Sequence, residues 1–222
     1  MEKNTKLIII LGPRYSGKTT IARRIAKEMQ CEHLDLDQLI VNDIGQNIDN
    51  ITNYGQDWQH FRRVETEILK NLLDKYTNYN QSSKYDKLIL SCGGGVAVNN
   101  CQNTNTGQTF GQIQKELLEK TDALKILLTI NEETLCQRIQ KDPNKRPPII
   151  IDKINSHADN LTEFLNNRSI AEKLLFRSRQ DLYRQLSNIC DTTIDSTCDL
   201  DNIIKTLLKI ICVEKLKEKP VS

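Results

Sequence analysis

The chain opens without a long apolar stretch. Its first hydrophobic run, Leu7 to Leu11, is far shorter than the ~20 residues that cross a bilayer and shorter than a signal-peptide core, so neither a membrane anchor nor export is expected. Charge of one sign is also missing: 31 Lys and Arg against 29 Asp and Glu leave +2. That balance lacks the basic footprint a nucleic-acid binder needs, so any cation that matters acts locally. The seven cysteines are an odd number with no C-x-x-C pair, which argues against a disulfide framework and a zinc site and predicts reduced thiols in a cytoplasmic protein. His33, His60 and His157 stand apart with no H-E-x-x-H, so no histidine metal site is predicted. There is no internal repeat. The 222 residues, 38% hydrophobic and 27% charged, suit one globular domain over 1–222 with one core.

What is present alternates. Continuous apolar runs at Lys6–Leu11, Lys87–Ser91 and Leu124–Ile130 predict buried parallel strands, with weaker strands at Cys31–Leu36 and Thr192–Asp195. Helical spacing of apolar residues predicts helices at Thr19–Met29, Trp58–Leu73, Ile113–Lys120, Asn131–Gln140, Ala171–Leu186 and Leu200–Cys212. Strand–helix alternation of this kind gives an α/β fold, a parallel sheet with helices on both faces. Tyr76–Lys84 and Asn99–Gly111 are polar and aperiodic and predict surface loops. Lys141–Asn160, with Pro143, Pro147 and Pro148, predicts a flap, and Glu214–Ser222 a frayed tail.

Glycine is scarce, and five of the nine sit in two places. Gly12-Pro13-Arg14-Tyr15-Ser16-Gly17-Lys18-Thr19 is a complete G-x4-G-K-[ST] between a predicted strand and helix. In that setting backbone N–H groups and a helix N-terminus surround phosphate oxygens, Lys18 reaches the terminal phosphates, and the Thr19 hydroxyl holds Mg²⁺. Gly93, Gly94 and Gly95 follow another strand, where three glycines imply close approach to the backbone, most economically by a ligand.

Asp35 and Asp37 lie at a predicted strand end, where α/β sheets bind ligands; the same D-x-D also fits a solvated turn or a helix cap. Arg62 and Arg63 fit an ordinary solvated helix face as well as a site. Arg146 sits in the flap, where a guanidinium could swing over a phosphate, and Arg179 on a late helix could equally be a surface residue.

Five signatures in this order resemble the shikimate kinases, small-molecule kinases of the P-loop class: GPRYSGKTT at 12–20, LDLD at 34–37, FRRVE at 61–65, SCGGG at 91–95, and KRPP at 145–148 followed by RQDLY at 179–183. The resemblance implies a three-layer α/β/α fold with a five-stranded parallel sheet, a substrate-binding helical region about 38–75 and a mobile lid about 141–165. It implies transfer of the γ-phosphate of ATP, with Mg²⁺, to the 3-hydroxyl of shikimate by a monomer. Residues 12–20, ending in Thr20, would bind nucleotide, with Arg138 beside the adenine. Lys18 would neutralise the transferring phosphoryl group, Thr19 and Asp35 would serve the metal, Asp37 would bind the reacting hydroxyl, and Arg146 would come from the lid. Arg62, Arg179 and Gly93–Gly95 would hold shikimate. The family's Gly-Glu pair before Phe-Arg is replaced here by Asp57-Trp58. The 32 residues between Arg146 and Arg179 make Arg168 a rival for one arginine role. A kinase for another polyol acid or a nucleoside, and a nucleotide- or shikimate-binding sensor, remain the alternatives.

Overall fold

A computed structural model of the protein describes residues 6–52, 57–77, 87–142 and 168–217. Residues 143–165 of the predicted lid, with Arg146, and 78–84 of the predicted loop at 76–84 lie outside them. The described chain runs β1 (Leu7–Leu11), α1 (Lys18–Met29), β2 (Glu32–Asp35), α2 (Leu36–Ile44), α3 (Ile48–Ile51), α4 (Gln59–Thr77), β3 (Leu88–Ser91) and α5 (Phe110–Lys120). It continues through β4 (Leu124–Thr129), α6 (Glu132–Lys141), α7 (Arg168–Ser187), β5 (Thr192–Asp195) and α8 (Leu200–Lys217). All five strands are parallel, in the order β2-β3-β1-β4-β5. Among the described residues no helix is long and apolar enough to cross a membrane.

Burial on both faces explains why the central strands are continuously apolar. Leu7, Ile9 and Leu11 of β1 pack with Leu36, Phe61, Leu69, Leu118 and Tyr183, from α2, α4, α5 and α7. Ile8 and Ile10 point the other way, onto Ile21 and Ile25 of α1 and Ile204 and Leu207 of α8. The strand's period of two thus feeds two cores from one five-residue run. Each such side chain contributes roughly 1.5–3 kcal/mol on burial, so the sheet is a rigid platform for the loops at its ends.

Local chemistry shifts several predicted boundaries. β2 stops at Asp35 instead of Leu36, because the Asp35 carboxylate accepts from Gln38 N and caps α2. Helix α5 starts at Phe110, three residues early, where Thr109 and Gln112 form a reciprocal capping box. The predicted surface loop Asn99–Gly111 is therefore only partly superficial, with Asn99, Phe110 and Gly111 buried. Asn131 caps α6 by accepting from Thr134 N, so it precedes the helix it was expected to begin.

Candidate active site

Because β2, β3 and β1 are adjacent, the segments that leave their C-terminal ends lie side by side, as ligand-binding loops do in doubly wound sheets. They enclose a cleft of about 550 Å³, within the range of small-molecule sites. Arg14, Tyr15, Gly17, Lys18, Thr19, Thr20, Asp35, Asp37, Arg62, Gly93–Gly95 and Arg138 line it together. Most residues predicted from separate motifs thus share one cavity. Arg179 stands just behind, in a small space bordered by Pro13, Arg14 and Gly94.

On one side lies the phosphate loop. Gly17 adopts a left-handed conformation (φ 85°) and delivers the chain into α1, whose first residue is Lys18. The buried Lys18 ammonium folds back to donate to Pro13 O at 2.7 Å, and the buried Ser16 hydroxyl has no hydrogen-bond partner among the described residues. A cation curled over a loop that contains an orphaned hydroxyl suits an anion with several oxygens. Arg138 donates to Tyr15 O at 2.8 Å and to Ser196 O, tying this loop to the turn after β5. Burial lowers the Arg138 pKa.

Beside it, Asp35 Oδ2 accepts from Thr19 Oγ1 at 2.7 Å and from Ser91 Oγ at 3.0 Å, while His33 Nε2 lies 2.9 Å from the same Ser91 oxygen. Asp35 is thus a helix cap and a cleft residue at once. Among the described residues no group of three His, Cys, Asp or Glu could hold a metal. The Thr19 hydroxyl and Asp35 carboxylate are hard oxygen donors beside the phosphate loop, a donor set that fits Mg²⁺.

The other side is built around the glycine triplet, where the structure identifies the groups that press on the backbone. A Cβ on Gly93 would lie 2.6 Å from Asp37 Oδ1, one on Gly94 2.8 Å from Arg14 N, and one on Gly95 would collide with the Arg62 guanidinium. The sequence suggested close approach by a ligand; in the structure the Asp37 and Arg62 side chains and the Arg14 segment press on the triplet. Arg62 is buried, with Nη1 donating to both Glu65 oxygens at 2.8 and 2.7 Å, and its guanidinium is 5.1 Å from the Trp58 ring centroid and 5.2 Å from that of Phe61. The neighbouring Arg63 is exposed, so the two arginines divide the site and solvent readings between them.

Electrostatics are concentrated here. Burial, then Glu65 and Asp35, push the Asp37 carboxyl up to about 6, against the opposing pull of Lys18 and Arg62. Burial, then Glu65, raise the Cys92 thiol well above its usual range, so it stays neutral and non-nucleophilic. Burial also lowers Arg179 to about 10, which leaves it charged at neutral pH. Arg179 Nη1 donates to Gly94 O at 3.3 Å and the Tyr183 hydroxyl to the same oxygen at 2.5 Å. Arg14, expected at the nucleotide, pairs at 3.0 Å with the buried Glu172 of α7.

Sequence reasoning assigned no role to Glu172, Gln114 or Asn99. A signal existed for Gln114: it shares the buried face of α5 with Phe110 and Leu118 at i, i+4, i+8 spacing, a polar residue on an apolar stripe. Asn99 lies in an asparagine-rich stretch with no such marker.

The chain is similar to known proteins. A chain from Enterococcus faecalis named shikimate kinase is 30% identical over 204 residues, covering 91% of this chain and 98% of that one. One of the same name from Streptococcus suis is also 30% identical, over 92% and 98%. Among solved structures, shikimate kinase from Acinetobacter baumannii in complex with shikimate aligns with a TM-score of 0.67 at 23% identity, covering 96% and 97%. The enzyme from Aquifex aeolicus aligns with a TM-score of 0.59 at 18% identity, covering 95% and 98%. These likenesses show a common fold. The profile described as shikimate kinase matches residues 14–211, which is most of the chain, and the protein therefore belongs to the shikimate kinase family.

Proposed function

We propose that the protein transfers the γ-phosphate of ATP to the 3-hydroxyl of shikimate, releasing ADP. The observation that carries this reading is the single cleft in which Lys18 and Thr19 face Asp37, Arg62 and the glycine triplet. A phosphoryl donor and a hydroxylated carboxylate need that pairing of groups: curled backbone and an ammonium for the first, planar guanidinium and carboxylate for the second.

In this reading the acceptor carboxylate lies against Arg62 and Arg179, its reacting hydroxyl against Asp37. With a pKa of about 6, Asp37 is mostly ionised at neutral pH and accepts the hydroxyl proton as the oxygen bonds to the γ-phosphorus and the bond to ADP breaks. The transition state is loose, so positioning and charge screening outweigh proton abstraction. Lys18 leaves Pro13 O for the phosphoryl oxygens, and Arg138 holds the Tyr15 end of the loop beside the nucleotide. Mg²⁺, when bound, screens charge between the phosphates; Thr19 and Asp35 would hold it. Arg146 of the lid would add a further cation. Both halves of the cleft come from one chain, so a monomer suffices.

The test is ADP release coupled to a spectrophotometric readout, with ATP, Mg²⁺ and a panel of acceptors: shikimate, other polyol acids and nucleosides. Turnover that depends on shikimate is expected. Turnover only with a nucleoside, or nucleotide and shikimate binding without ADP formation, would replace this reading.

A further inference from the structure

Behind the glycine triplet, Gln114 of α5 is fully buried and all four hydrogen-bonding positions of its amide are engaged. Nε2 donates to Glu65 Oε2 and to Thr66 Oγ1, each at 2.9 Å. Oε1 accepts from Ala97 N at 3.0 Å and from Asn99 Nδ2 at 3.1 Å. An amide has two N–H donors and two acceptor lone pairs, so nothing is left over. Its orientation is also fixed by chemistry: the Glu65 carboxylate requires a donor and the Ala97 N–H an acceptor, and a flipped amide would lose both.

Each half of this network ends at the cleft. Through Glu65 it reaches Arg62, whose Nη1 is held by both Glu65 oxygens. Through Asn99, whose Nδ2 also donates to Gly95 O at 3.1 Å, it reaches the glycine loop, and the Ala97 contact supports a residue at φ +61°, a conformation side-chain-bearing residues rarely adopt. Arg62 and Gly95 are themselves packed face to face. We infer that Gln114 is a positioning residue that sets the Arg62 guanidinium and the Gly95 backbone together, and so fixes the geometry in which the acceptor carboxylate is gripped. The inference rests on the proposed reading for its kinetic test and deepens it.

Gln114→Leu keeps the shape and removes all four hydrogen bonds. It is expected to raise the KM for shikimate about 10- to 100-fold, the loss typical of hydrogen bonds that serve a charged group, with the KM for ATP within about twofold. An unchanged shikimate KM, or an equal rise in both constants, overturns the inference.

Gln114→Glu supplies a second, nearly isosteric test. While protonated, the introduced carboxyl can still donate to Glu65; once ionised it repels it. The charged or titratable groups around Glu65 are Arg62 on the same helix, Asp37 on α2, Arg179 on α7 and Cys92 in the loop. The variant's shikimate KM, taken as a ratio to the parent's at each pH, is expected to rise from pH 6 to 8.5. A parallel pH profile counts against the inference.

A third readout needs no substrate. Trp58 is the single tryptophan, and Arg62 lies over its ring, so loosening Arg62 should shift the emission of ligand-free Gln114→Leu. Should the parent not phosphorylate shikimate, the functional reading fails alone and this emission decides the role of Gln114: a shift supports it, and none overturns it.

Discussion

The Cγ and backbone nitrogen of Arg14 lie 2.7 and 2.8 Å from the point that a Cβ on Gly94 would occupy, so the phosphate loop and the glycine triplet meet with no room for a side chain on Gly94. The Gly94 carbonyl in turn accepts from Tyr183 and Arg179, and Arg14 pairs with Glu172, so helix α7 braces both loops. On the proposed reading, the relative placement of donor and acceptor is thereby set by this junction and the α7 side chains that brace it.

Gly94→Ala forces these loops apart. Because the contact is with the Arg14 backbone as well as its Cγ, a rotamer change alone cannot relieve the strain, and kcat/KM is expected to fall at least 100-fold with a lower Tm. Gly107→Ala is the control: φ is +72° but nothing lies within 4 Å. That variant should lose about 1 kcal/mol of stability and keep parental kcat/KM, as denaturant titration and the coupled assay will show.

Asp37 sets an acid limb. With its pKa near 6, kcat/KM for the acceptor should rise with pH between 5 and 7 and level off above. Asp37→Asn should remove the limb and reduce kcat/KM about 10²- to 10⁴-fold. Stability moves the other way. A carboxyl whose folded pKa is raised above its unfolded value of 3.8 binds more protons when folded, so its ionisation opposes folding as pH climbs from about 3.8 through 6. Asp37→Asn should therefore melt above the parent at pH 8 and near it at pH 4.

Ser91 donates to the oxygen of Asp35 that also receives Thr19, so Ser91→Ala should weaken the proposed Mg²⁺ site without altering either residue proposed to hold the ion. The Mg²⁺ concentration for half-maximal rate is expected to rise about tenfold, the lower end of what lost outer-shell partners cause. Direct Mg²⁺ titration of the nucleotide-bound enzyme by calorimetry checks it independently of rate.

Arg62→Ala breaks the contact with Trp58 and strands the buried Glu65. Shikimate binding should quench or shift Trp58 emission in the parent, and the variant should lose that response while kcat/KM falls roughly 10- to 150-fold. A response of parental size in the variant would remove Arg62 from the acceptor site.

How much of this could be read from the sequence depended on the kind of signal. The strands of the centre were legible because burial on both faces demands unbroken apolar runs, as in Leu7–Leu11, and the phosphate loop because its chemistry fixes residue types at fixed spacing. The boundary between β2 and α2 was not, since Leu36 suits strand and helix alike and only the Asp35 cap decides. The start of α5 was readable in Thr109-x-x-Gln112, a capping box inside a stretch whose polarity suggested only loop. The joint role of Gln114 and Asn99 was hidden for a different reason, although Gln114 stands out as a polar residue on an apolar stripe. Their partners lie up to 49 positions away in the chain, and only the folded sheet brings them together.

The abutment of Arg14 and Gly94 also limits redesign. Anyone wishing to retrain this scaffold for a different alcohol should leave the seam between its two loops intact and vary the wall formed by Val41, Ile48, Trp58 and Phe61, which borders the same cleft from α2 to α4. Changes on that wall alter which molecule is admitted; changes at the seam alter whether any molecule can be served.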